Sequence, residues 1–106
     1  MNPPQITKTF IDKLAYIHLV DRKILITRSH GKDTWYIPGG KRELGETDHA
    51  ALIREVKEEL TVDLIPETIA PYGVFEAQAH GKPEGTIVRM TSYTAGILGD
   101  LSRYGR

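Results

Sequence analysis

One stretch of this chain carries helical periodicity, and the segments on either side are cut to strand length. At roughly 100° per residue, Leu52, Ile53, Val56 and Leu60 fall within an arc of about 100°, and Glu55, Glu58 and Glu59 fall within a separate arc on the opposite side. Thr47 suits the N-cap and Asp48 the positive end of the helix dipole, so the spacing predicts a helix over residues 47–60. A lone amphipathic helix must lay its apolar stripe on something, and the flanking strands supply a sheet.

Residues 14–20 are apolar and rich in β-branched side chains, Asp21-Arg22-Lys23 interrupts them, and residues 24–27 resume, which predicts a hairpin. Residues 62–65, 72–77 and 86–97 read as further strands, divided by Pro66-Glu67 and by the loop at residues 80–85. Trp35-Tyr36-Ile37 runs into Pro38-Gly39-Gly40, which cannot continue regular structure and forces a turn. The expected fold class is α/β (α+β), a mixed sheet carrying a helix. With 106 residues and 40% hydrophobic content, the chain is expected to form a single domain over 1–106 with one modest core.

Basic and acidic residues balance at 14 each, so the chain as a whole has no positive field to hold a nucleic-acid polymer or a membrane surface. No cysteine is present, which removes disulfides, zinc-thiolate sites and thiol nucleophiles. The apolar runs fall far short of a membrane span, and residues 1–13 lack the basic start and apolar stretch of a secretory signal. A cytoplasmic protein is the expectation.

The chemistry resides in one constellation. Gly40 is followed after five residues by Glu46, then after seven by Arg54-Glu55-Val56, Lys57, Glu58-Glu59, Leu60, Thr61 and Val62. A pyrophosphate repels nucleophiles, so its hydrolysis needs divalent cations to neutralise charge and activate water. Mg²⁺ is a hard ion that takes oxygen ligands, and carboxylates at i, i+3 and i+4 on one helix face (Glu55, Glu58, Glu59) make a suitable partial cage. Arg54 lies one turn before Glu58 and can orient a carboxylate by a two-point contact. Taken alone, a Glu-Lys-rich helix face is usually just solvated, and Pro-Gly-Gly is usually just a turn; the two in register reverse that reading.

This pattern resembles the Nudix box, with Gly40, Glu46, Arg54, Glu55, Val56, Glu58, Glu59 and Val62 in register and Pro38-Gly39 as the lead-in. A chance match has odds on the order of one in 10⁸ per window. Thr61 departs, standing where the family has a glycine. A β-branched residue is strained in the left-handed conformation such a cap requires, so the helix is expected to fray there or to end in another way.

The resemblance implies a Nudix-type α/β/α sandwich and a Mg²⁺ cofactor, with Mn²⁺ as the substitute. It further implies the Gly39 carbonyl as a metal ligand beside Glu55, Glu58 and Glu59, Glu55 or Glu58 as general base, and Glu46 paired with Arg54. The family pattern also calls for a further strand and a C-terminal helix, which residues 99–106 do not supply. The expectation is therefore a C-terminally truncated domain with one sheet face uncovered, or a homodimer that covers it.

The lead-in Trp35–Lys41 is similar to that of MutT-like enzymes, which convert a (d)NTP to a (d)NMP and pyrophosphate. The alternatives are ADP-ribose, a dinucleoside polyphosphate or a nucleotide sugar as substrate, or a Nudix-derived binding module without turnover. Candidate contacts to the small nucleotide are Trp35 and Tyr36, of which alternation in a strand lets only one face a pocket, together with Lys41 and Glu84. His18, His30 and His80 lack metal-ligand spacing.

Overall fold

The computed structural model describes residues 8–28, 35–79 and 81–99. In chain order they form β1 (Thr9–Tyr16), β2 (Leu19–Val20), β3 (Lys23–Ile24), β4 (Thr27–Arg28), β5 (Trp35–Tyr36), β6 (Gly39–Gly40) and α1 (Asp48–Leu60). Then follow β7 (Asp63–Leu64), a 3₁₀ turn (Pro66–Thr68), β8 (Ala70–Gln78), β9 (Thr86–Thr94) and β10 (Ile97–Leu98).

The main sheet has four strands in the order β6-β1-β9-β8. β1 runs parallel to β9, and β6 and β8 join as antiparallel neighbours, so the expected mixed sheet is present. β2 and β3 form the expected hairpin about Asp21-Arg22, whose φ values of 51° and 66° fit the mirror-image turn that matches strand twist. The sheet strand before it starts at Thr9, five residues ahead of the apolar run, because parallel pairing with β9 holds the polar Asp12 and Lys13 in the ladder. The strand expected over 86–97 divides at Ala95-Gly96, where the Gly96 N–H turns to the Thr68 hydroxyl and the Gly96 carbonyl accepts from Ile65; β10 then pairs with β7.

The helix forms as read. Thr47 Oγ1 accepts from the Ala50 N–H, and Asp48 sits in the first turn. Ala51, Leu52, Val56 and Leu60 are fully buried against Leu14, Tyr16 and Tyr93 of the sheet, with Leu25, Val62 and Leu64 closing the core. The helix end differs from expectation. Thr61 takes the left-handed conformation (φ 60°, ψ 32°) and donates its N–H to the Lys57 carbonyl, so the helix neither frays nor changes its cap. Burial of Leu60 and Val62 on either side outweighs the strain at Thr61.

Alternation along the strands leaves Ile11, Lys13, Phe75, Ala77, Val88 and Met90 on the face away from α1, as the register Ile11↔Val88↔Ala77 and Lys13↔Met90↔Phe75 requires. Among the described residues no helix covers this face, and Phe75 is 53% exposed. Among the described residues one helical layer thus lies on the mixed sheet, as expected for a Nudix-type fold without its C-terminal helix. Among the described residues no helix is long and apolar enough to cross a membrane.

Candidate functional site

The site is built where β6 meets α1. Gly39 and Gly40 pair with Ala15 and Leu14 of β1, and the backbone passes so close that a Cβ on Gly39 would strike the Leu14 carbonyl. Gly39 also adopts φ 148°, a conformation that side chains resist. On the other side, a Cβ on Gly40 would lie 2.6 Å from the Glu55 carboxylate. The two glycines therefore let a strand end approach the acidic helix face.

Arg54 is the hub. Its Nε and Nη2 donate to the two oxygens of Glu46 at 2.7 and 2.8 Å, a two-point ion pair across the loop. Its Nη1 donates to Glu55 at 2.9 Å and lies 3.4 and 3.5 Å from the Glu58 oxygens, while Nη2 also donates to the Lys41 carbonyl at 3.1 Å. Glu46 accepts the Glu43 N–H at 2.7 Å as well. The Arg54 hydrogen bond, helped by that amide, lowers the Glu46 carboxyl to a pKa of about 2, and Glu46 in turn raises the Arg54 guanidinium above its usual value.

Glu59 completes the face by accepting the Gly39 N–H at 3.1 Å. Burial pushes its pKa up, the Gly39 amide pulls it down, and the charges of Glu55 and Glu58 push it up further. Glu55 is mostly shielded and Glu58 is 57% exposed, so the carboxylates grade from the glycine turn to solvent.

The polar box residues named from the sequence, Glu46, Arg54, Glu55, Glu58 and Glu59, gather here with Gly39 and Gly40, while Val56 and Val62 pack into the core. As they stand the carboxylates are not drawn to one point: Arg54 draws Glu55 and Glu58, and the Gly39 amide engages Glu59. Among the described residues no three His, Asp or Glu side chains form a ready metal cage. The donor set itself fits a hard divalent cation, being oxygen-only and carrying like charge felt at Glu59.

The weaker candidates separate. Tyr36 is 40% exposed and lines a cleft of about 220 Å³ with Lys13, Leu14, Ile37, Gly39, Gly40 and Met90. Lys41 lines a neighbouring cleft of about 370 Å³ with Ile11, Lys13, Ala79, Lys82 and Val88. The Trp35 side chain, His30 and His80 lie outside the described residues. Glu84 is exposed, and among the described residues no hydrogen bond or ion pair joins it to the box carboxylates. His18 hydrogen-bonds the Tyr16 hydroxyl at 3.0 Å. Lys13 and Lys82, which sequence reasoning does not single out, line the same cleft as Lys41; Lys82 is brought there only by the loop's return to the sheet.

The sequence matches the NUDIX domain profile over residues 13–101. It is 50% identical over 67 residues to the human 8-oxo-dGDP phosphatase NUDT18, a stretch that covers 63% of this chain and 19% of that protein. It is 37% identical over 73 residues to the 8-oxo-dGTP diphosphatase of Proteus vulgaris, covering 69% of this chain and 58% of that one. The chain thus spans less than two thirds of the length of these curated relatives. The MutT NUDIX hydrolase from Burkholderia pseudomallei superposes with a TM-score of 0.69 at 23% identity, over 88% of this chain and 72% of that one, which shows the shared fold. With the profile matched across most of the sequence and the box residues gathered at one site, the chain belongs to the Nudix hydrolase family.

Proposed function

We propose that the chain hydrolyses the pyrophosphate linkage of a nucleotide in a Mg²⁺-dependent reaction, with a (d)NTP converted to a (d)NMP and pyrophosphate. The observation that carries the reading is the Glu46–Arg54–Glu55–Glu58 cluster closed against Gly40, with Glu59 on the Gly39 amide. Glu55, Glu58, Glu59 and the Gly39 carbonyl are the groups that would hold the cation, and Mn²⁺ suits the same oxygen donors. When bound, the cation neutralises phosphate charge and makes water easier to deprotonate.

The chain's own residues do the rest. Arg54, anchored by Glu46, fixes Glu55 and Glu58 in place, and one of these two carboxylates accepts the proton of the attacking water. The new P–O bond forms as the bond to the bridging oxygen breaks, and that oxygen leaves with the electron pair on pyrophosphate. The exposed Tyr36 ring, at a cleft that also reaches Gly39 and Gly40, is suited to stacking on a base.

The two curated relatives named above act, by their names, on 8-oxo-dGDP and 8-oxo-dGTP, which supports an oxidised guanine deoxynucleotide as the first substrate to try. ³¹P NMR of 8-oxo-dGTP, 8-oxo-dGDP, dGTP and ADP-ribose incubated with the chain and Mg²⁺ tests the proposal. Pyrophosphate from a triphosphate, absent with EDTA, is the expected result. Turnover of ADP-ribose alone would move the substrate class, and no turnover of any compound would overturn the reading.

A further inference from the structure

The cleft on the sheet face away from α1 brings together three lysines from distant parts of the chain. Lys13 comes from β1, Lys41 from the loop after β6, and Lys82 from the turn between β8 and β9. The remaining lining is Ile11, Ala79 and Val88, with no carboxylate. Ion pairs among the described residues engage Arg42, Arg54, Lys57 and Arg89 and none of these three lysines. Three like charges around an apolar floor repel one another, and folding tolerates that repulsion more readily where an anion relieves it.

The cleft is also tied to the carboxylate site. The Lys41 backbone carbonyl accepts from Arg54, so a residue that lines the cleft is held by the hub of the acidic cluster. Lys13 lines both this cleft and the one bounded by Tyr36, Gly39 and Gly40. A volume of about 370 Å³ admits a chain of phosphates.

We infer that Lys13, Lys41 and Lys82 form an anion-binding subsite that takes a phosphate group of the substrate. The role as part of a substrate site rests on the hydrolase reading; the anion binding itself does not. Lysine suits this as a compact charge on a flexible stem that can follow a mobile phosphate. A more highly charged phosphate chain is then favoured by the cleft, separately from the carboxylate site.

The test is calorimetric titration of inorganic tripolyphosphate into the full chain in EDTA, where the cation site makes no contribution. The wild type is expected to bind with an affinity that falls as salt rises. The Lys13→Ala/Lys82→Ala pair of substitutions is expected to weaken binding by roughly tenfold or more, and Lys82→Arg to retain it. Circular dichroism establishes that each variant is folded. Wild-type binding that is absent, or equal in the folded double variant, would overturn the subsite. If tripolyphosphate binds through these lysines while no nucleotide is turned over, the anion binding stands and the hydrolase reading falls. If nucleotides are turned over with an unchanged KM in the double variant, the subsite falls and the hydrolase reading stands.

Discussion

Glu46 and Arg54 face each other across the loop that enters the helix, joined by two hydrogen bonds of 2.7 and 2.8 Å. A planar fork on a carboxylate fixes direction as well as distance, and the same guanidinium then reaches Glu55 and Glu58. Lysine has one ammonium and cannot reproduce the fork. Arg54→Lys should therefore lower kcat/KM by about 10- to 100-fold and weaken Mg²⁺ affinity, while the chain remains folded. Steady-state kinetics with a Mg²⁺ titration checks this, and equal Mg²⁺ affinity in the variant would remove the positioning role.

The same pair sets a pH dependence. Glu46 has a folded pKa of about 2 against an ordinary 4.5, so the folded state binds its proton less readily than the unfolded state does. The stability it contributes is fully present above about 4.5 and is lost as pH falls toward 2. Thermal melts across that window should fall more steeply for the wild type than for Glu46→Gln, and high salt should narrow the difference because the pair is near the surface.

Glu59 has the opposite sign. Its pKa is raised by burial and by its neighbours' charges, so ionisation destabilises the folded state at neutral pH. Glu59→Gln keeps an acceptor for the Gly39 amide and should raise the metal-free Tm at pH 7, with the gain shrinking as pH falls through the raised pKa. Added Mg²⁺ should stabilise the wild type more than the variant. Differential scanning calorimetry with and without Mg²⁺ reads both effects.

The adjacent glycines should fail differently. A Cβ at Gly39 meets the Leu14 backbone, which cannot move without breaking strand pairing, so Gly39→Ala should cost about 3 kcal/mol. At Gly40 it meets the end of the Glu55 side chain, which can swing aside, so Gly40→Ala should stay folded and lose roughly 100-fold in activity. Urea melts and turnover on the two variants separate these outcomes.

Much of this site was legible because its information is local. The 3.6 period placed Leu52, Val56 and Leu60 inward and Glu55, Glu58 and Glu59 outward, and Thr47 caps the helix as read. What was missed depends on pairing between distant segments. Thr9 joins β1 because β9 is its partner, Gly96 divides the strand expected over 86–97 because Thr68 captures its amide, and Lys13 meets Lys82 only in the folded sheet. Thr61 shows context overriding propensity: two buried neighbours hold a β-branched residue in a left-handed cap.

If the carboxylate face of α1 carries out cation-dependent pyrophosphate hydrolysis, pyrophosphate release from a nucleoside triphosphate must follow Mg²⁺ concentration and depend on Glu58, which a titration of the wild type and Glu58→Gln reads. The expected result is saturable dependence on Mg²⁺, no release in EDTA, and a fall on the order of 10³ in the folded variant. Release that persists in EDTA, or that is equal in wild type and variant, would contradict it.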